Sequence, residues 1–162
     1  MSKLSLCSFI ILSLFISTGI FAATDLKINP KLRYSSDSND GPLITGKDLS
    51  SAKLSFDKPS HVIFYHRECY NSKRQAKRTV ELYDKYKEKV NFIVIDLDQI
   101  RNNDQVKLKR KYYKKYIPHV TLISKGGSVL YDRAGEISTQ HLSAILDKEI
   151  TKKSNDLLTL GQ

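Results

Sequence analysis

The chain has 162 residues, enough for one compact domain with a sizeable core. It carries 27 Lys+Arg against 17 Asp+Glu, a formal charge of +10. A 40% hydrophobic content excludes disorder over most of its length.

The first 23 residues, "MSKLSLCSFIILSLFISTGIFAA", place one early lysine before an apolar run that ends in two alanines. That is the three-part plan of a secretory signal peptide, with cleavage expected after Ala22 or Ala23. A retained membrane anchor is the competing reading, because the apolar run approaches spanning length. The small residues at its end favour cleavage. Contact with a membrane is expected only if the segment stays attached. Cleavage also removes Cys7 and leaves Cys69 as the single cysteine of an exported, periplasmic or extracytoplasmic chain. A lone thiol there is either buried and inert or exposed and used.

Residues 24–42 are polar and rich in turn formers, and they read as a flexible leader with one edge strand near 32–34. Residues 48–56 read as a short helix ended by "DKP". "HVIFY" (61–65) is a continuous apolar run, as in a buried strand. From 70 to 89 the pattern turns helical, with Ala76, Val80 and Tyr83 on one face. "VNFIVIDLD" (90–98) is a second buried strand, rich in β-branched residues. Asn103 or Asp104 can cap a helix reaching about residue 115. "HVTLIS", "GG" and "SVLYDR" predict a hairpin over 119–133. Ser138 can cap a last helix, with Leu142, Ile145 and Leu146 on its inner face. Residues 151–162 read as a polar tail that frays. The order is β-α-β-α-β-β-α, with parallel strands joined through the first helix and an antiparallel closing hairpin.

This order and its motifs resemble the thioredoxin fold, an α/β fold with a central mixed sheet flanked by helices. The resemblance covers residues 43–150. "VIFY" leads into "CYNSK" (69–73), which looks like the family's Cys-x-x-Cys-Lys site with Ser72 at the position of the second cysteine. "VIDLDQ" resembles the next central strand. "YIPHVTLI" resembles the strand entered through a cis-proline, which would make Pro118 that proline. "KGGSVLY" and Gly135 match the closing hairpin and the glycine after it. Ile63 stands where the family often buries an aspartate, and Tyr65 and Glu68 replace tryptophans common around the site. The resemblance therefore implies no dithiol cycling by the isolated chain.

Cys69 at a helix start is expected to be favoured as thiolate by the helix dipole, by free amides and by Lys73, with Arg74, Lys77 and Arg78 adding positive potential and Glu68 opposing. Ser72 can donate a hydrogen bond to the sulfur but cannot attack a mixed disulfide, which would persist until an outside thiol resolves it. The reading is an exported monothiol protein forming mixed disulfides with client proteins or small thiols. Cys69, Ser72, Lys73 and Pro118 are its working residues, and Tyr65, Tyr70, Asn71 and Ile117 are its binding surface. Isomerase-type exchange is compatible with this reading. One rival is a non-catalytic binding module using the cis-proline groove and the basic helix. Another is a metal-binding accessory protein using His66, Cys69 and His119, weakened by its single sulfur. "KLKRKYYKK" (107–115) is a basic helical face suited to an acidic protein partner. Nucleic acid is not expected for an exported chain, and no motif calls for a cofactor.

Overall fold

The computed structural model describes residues 22–159. Most of the expected signal peptide and the last three residues of the expected tail lie outside the described residues. Nine elements follow in chain order: β1 (Thr24–Ile28), β2 (Ile44–Lys47), β3 (Ser60–Tyr65), α1 (Tyr70–Tyr86), β4 (Asn91–Asp96), α2 (Asn103–Tyr112), β5 (His119–Ile123), β6 (Val129–Ala134) and α3 (Thr139–Thr159). From β3 onward this is the order expected from the sequence.

The main sheet has the order β4-β3-β5-β6. β3 pairs in parallel with β4, and antiparallel with β5, which pairs antiparallel with β6. Every residue of β3 and β4 is buried, which explains why both read as unbroken apolar runs. Alternation along the strands divides the core in two. Ile63, Tyr65, Val120 and Leu122 pack with Ala76 and Leu82 of α1 and Leu142 and Leu146 of α3. Val62, Phe64, Ile93 and Ile95 pack with Leu108 and Tyr112 of α2. Helices α1 and α3 therefore cover one face and α2 the other.

Helix boundaries follow local chemistry. Asn102 caps α2 by accepting from the Gln105 amide at 2.9 Å. Ser138 caps α3, accepting from the His141 amide at 3.2 Å. α3 extends to Thr159, so its backbone is helical where a fraying tail begins in the sequence reading. Residues 48–56 form no helix. The Ser51 amide instead bonds the Asp48 carbonyl in a turn, and the serines at 50, 51 and 55 favour such local bonds over helix.

The largest departure is the leader. Residues 24–42, expected as a leader outside the domain, carry β1 and pack into the fold. β1 and β2 pair antiparallel, and the Ala23 amide donates to the Phe92 carbonyl at 3.0 Å, joining this ribbon to the margin of the main sheet at β4. Leu26, Leu32, Leu43 and Ile44 are buried in the α1 face of the core. Each such side chain contributes about 1.5–3 kcal/mol by burial. Four anchors hold in place a segment whose intervening residues are turn formers. Gly46 is required in β2, because a Cβ there would meet the Thr24 carbonyl oxygen at 2.6 Å.

Candidate functional site

Cys69 follows β3 and occupies the N-cap position of α1. Its carbonyl accepts the first helical bond, from the Lys73 amide at 3.1 Å, and its backbone is extended. The thiol is half-buried and free. Its side chain makes no capping hydrogen bond. The loop beneath it is fixed by Arg67, whose Nε donates to Asp96 and whose Nη2 donates to Gln99, both at 2.7 Å.

The helix start is capped from a distance instead. Asp37 Oδ1 accepts from the Tyr70 amide at 2.9 Å, and the Ser38 amide donates to the Glu68 carbonyl at 3.1 Å. A carboxylate thus occupies an amide that was expected to serve the sulfur. Lys73 departs from expectation as well. It is fully buried, and its ammonium points into the leader. Lys73 Nζ donates to the carbonyls of Arg33 and Ser36 (3.1 and 3.0 Å), to Ser38 Oγ (2.8 Å) and to Asp40 Oδ2 (2.7 Å). Asp40 is held well below the usual carboxylate range by the Arg33 amide first and then by Lys73. Lys73 is therefore a clamp for residues 33–40, not a charge offered to Cys69. Arg74 and Arg78 are also committed, both to Glu136. Arg74, the larger cause, and Arg78 lower the Glu136 carboxyl from its ordinary value.

Ser72 is fully buried, and its hydroxyl has no partner among the described residues. The Ile117–Pro118 peptide bond is cis. Because Phe64 pairs with His119, the register brings Pro118 opposite Tyr65, at the end of the sheet from which Cys69 follows. Pro118 is buried and Ile117 half-buried, and its carbonyl accepts from the amide of Gly135 at 2.8 Å. Gly135 has φ of +95°, a conformation that favours glycine.

Parallel β3–β4, antiparallel β3–β5–β6, α1 and α3 on one face and α2 on the other, with a cis-proline entering β5, decide the architecture. The chain has the thioredoxin fold. Its structural neighbours include thioredoxin-family proteins. Thioredoxin-2, a component of malaria parasite protein secretion machinery, is 23% identical, with a TM-score of 0.48 over 56% of this chain and 82% of that one. The germline-specific thioredoxin Deadhead of Drosophila melanogaster is 23% identical, with a TM-score of 0.46 over 57% of this chain and 81% of that one. A further structure, of a malarial protein, is 21% identical, with a TM-score of 0.48 over 57% and 97%. No family model and no curated protein sequence matches the chain.

The remaining expected residues divide sharply. Tyr70 is partly exposed, with the Arg74 guanidinium 4.5 Å from its ring centroid, and Asn71 accepts from Arg74. Both border the thiol loop. Tyr65 does not, being 1% exposed and part of the core beneath α1. Burial first, and Asp96 second, push its hydroxyl well above the ordinary tyrosine value. His66 is tied to Asp98 at 2.7 Å, and His119 to Asp132 at 2.7 Å. His119 is fully buried on the α2 face, against Phe64 and Tyr113. His66, Cys69 and His119 thus do not converge, and no group of three metal-ligating side chains occurs among the described residues. Sequence reasoning missed Asp37, Asp40 and Arg33. The one signal for them was a pair of acids, "DSND", in a leader preceding a strongly basic helix.

Proposed function

We propose that this chain is an exported protein of thioredoxin fold whose single thiol, Cys69, forms mixed disulfides with client proteins or small thiols. The observation that carries the reading is a half-buried Cys69 at the start of α1, with a fully buried serine in place of a second sulfur. In the proposed step the Cys69 thiolate attacks a disulfide sulfur of the client. One S–S bond forms, one breaks, and the client's other sulfur leaves as a thiolate. No net oxidation occurs. Ser72 cannot displace the client, so an external thiol must attack the mixed disulfide and return Cys69 to its reduced form. Tyr70, Asn71, Ile117 and Pro118 would form the surface met by the client. Export follows from the N-terminal sequence pattern alone.

A second reading is favoured by the withdrawal of Lys73 and the presence of Asp37 at the helix start, which deprive the sulfur of support. In that reading the same surface holds a partner without covalent chemistry.

One experiment separates the two. Adducts are trapped in the native compartment with acid quench and alkylation, then resolved on non-reducing gels and identified by mass spectrometry. Disulfide adducts that disappear in Cys69→Ser support the thiol reading. Partners retained by Cys69→Ser, with no adduct in wild type, support the binding module.

A further inference from the structure

The exposed face of α2 and the loop before β3 have no part in the thiol site. Leu108 and Tyr112 anchor α2 to the sheet, while Lys107, Arg110, Lys111 and Lys114 are exposed. Arg110 and Lys111 lie three and four residues from Lys107 and so share one side of the helix, while Lys114 follows where the chain leaves the helix at an extended Tyr113. Lys115, also exposed, follows directly. The acids facing this row are few. Asp104 pairs with Lys107 at 2.9 Å, and Asp132, already bonded to His119, lies 3.8 Å from Lys114. Arg110 and Lys111 form no ion pair among the described residues, and the Lys111 ammonium lies 5.1 Å from the ring centroid of Tyr112.

Beside this row stands Phe56, 92% exposed, the most exposed large apolar side chain described. Its loop is not loose. The Ser55 amide donates to Ser60 Oγ at 3.3 Å, the Lys58 amide donates to Ser55 Oγ at 3.3 Å, and Ser55 bonds Asp57. Phe56 borders an open groove of about 340 Å³ with Leu54, Asp104, Lys107 and Leu108, so the ring adjoins the basic row at Lys107. Lys53 and Lys58 flank the ring in sequence, Asp57 follows it directly, and Asp104, paired with Lys107, lines the same groove.

We infer that this surface docks on an anionic lipid bilayer, with Phe56 entering the headgroup boundary and the α2 row lying against the phosphates. A protein partner would have to supply a shaped pocket for a ring that projects singly from a loop. A fluid interface needs no such complement, and it offers a plane of negative charge to a cluster of cations. The placement also has a geometric meaning. α2 and α1 cover opposite faces of the sheet, so docking through α2 leaves the α1 face, with Arg74 and Tyr70, turned to the solvent. The inference stands independently of whether Cys69 reacts.

The test uses protein beginning at Ala22, which retains every element of the fold and lacks the apolar N-terminal run. The chain has no Trp, so Phe56→Trp supplies a single fluorescent reporter. With phosphatidylcholine vesicles containing phosphatidylglycerol, its emission should shift to the blue and the protein should sediment with the lipid. With phosphatidylcholine alone, or in about 0.5 M salt, neither should occur. Phe56→Ser and the pair Arg110→Glu with Lys111→Glu should each weaken sedimentation roughly tenfold or more, with unchanged circular dichroism. Unshifted emission on anionic vesicles overturns the proposal. So does binding of polyglutamate through α2 with Phe56→Ser behaving as wild type, which would assign the face to an acidic protein.

Discussion

At the start of α1 a carboxylate caps the helix, while the Cys69 side chain makes no capping hydrogen bond. Asp37 holds the Tyr70 amide and sets a negative charge beside the position where a thiolate would form. Replacing Asp37 by Asn keeps an acceptor for the cap and removes the charge. Alkylation of Cys69 by iodoacetamide at neutral pH should then accelerate several-fold, since about 1 kcal/mol of relief corresponds to roughly fivefold. An unchanged rate would remove Asp37 from any control of the thiol. Ser72→Cys makes the opposite kind of change. The position is buried, its hydroxyl has no partner among the described residues, and a thiol differs from it by one atom. The variant should lose free-thiol titre on mild oxidation and, in the presence of a reductant, reduce insulin faster than wild type. The identity of these residues was legible in the sequence, because the CYNSK spacing and the proline at 118 are local patterns. The direction of Lys73 was not. A lysine four positions after a cysteine can turn toward it or away, and the choice here is made by Asp40, 33 positions earlier.

The element that escaped the sequence reading is the segment before β3. Its residues are turn formers, and local chemistry alone gives no reason for them to be ordered. Order comes from non-local partners: Lys73 for the carbonyls of Arg33 and Ser36, the core of the α1 face for Leu32 and Leu43, and Tyr83, whose hydroxyl accepts from the Asp25 amide at 2.8 Å. The same limit misassigned 48–56, where a plausible helical spacing lost to side-chain bonds from serine. Elements with strong periodicity or caps, such as β3, β4 and α2, lie within a few residues of their expected bounds. If Lys73 is the clamp, Lys73→Met should lower the melting temperature on the order of 10 °C, because it leaves a carboxylate and two carbonyls without their buried cation. Lys77→Met, on the exposed side of the same helix, should change it little. Equal shifts in differential scanning calorimetry would show that the buried contacts do not hold the leader down.

For the molecule as a whole, acid is the relevant stress. His61 is fully buried in β3, stacked on Phe92 at 5.3 Å, with neither ring nitrogen bonded among the described residues. Burial lowers it to about 4 from an ordinary 6.5. Between those values the unfolded chain binds a proton that the folded chain refuses, so stability rises with pH across this window and falls as pH drops through it. The expected loss from this group is about 2 kcal/mol on going from about pH 7 to about pH 5. Asp40, Asp98 and Glu136 are also lowered in the fold, by amide and cation partners that for Asp98 outweigh burial. Their contribution is present above the ordinary carboxylate range and is lost only as the pH falls below about 4. Urea titrations should therefore show a first decline centred between about pH 6.5 and 4, and His61→Phe should remove that step while leaving the acid limb. A wild-type curve flat to about pH 5 would mean that His61 is hydrated or paired in solution.

The cap on α1 comes from Asp37, 33 positions before the amide it holds, so the first turn of this helix is closed by a contact of the whole chain and not by its neighbours. Amide hydrogen exchange should register this. The Tyr70 amide should exchange in step with those of the 33–40 segment, whereas the amides of Ala76 and Thr79, buried in mid-helix, should be protected to the level of global unfolding. In Lys73→Met the first group should exchange far faster and the second should follow only the loss of overall stability. The segment before β3 and the opening turn of α1 would then form one cooperative unit that opens ahead of the rest, and Cys69 lies at its seam.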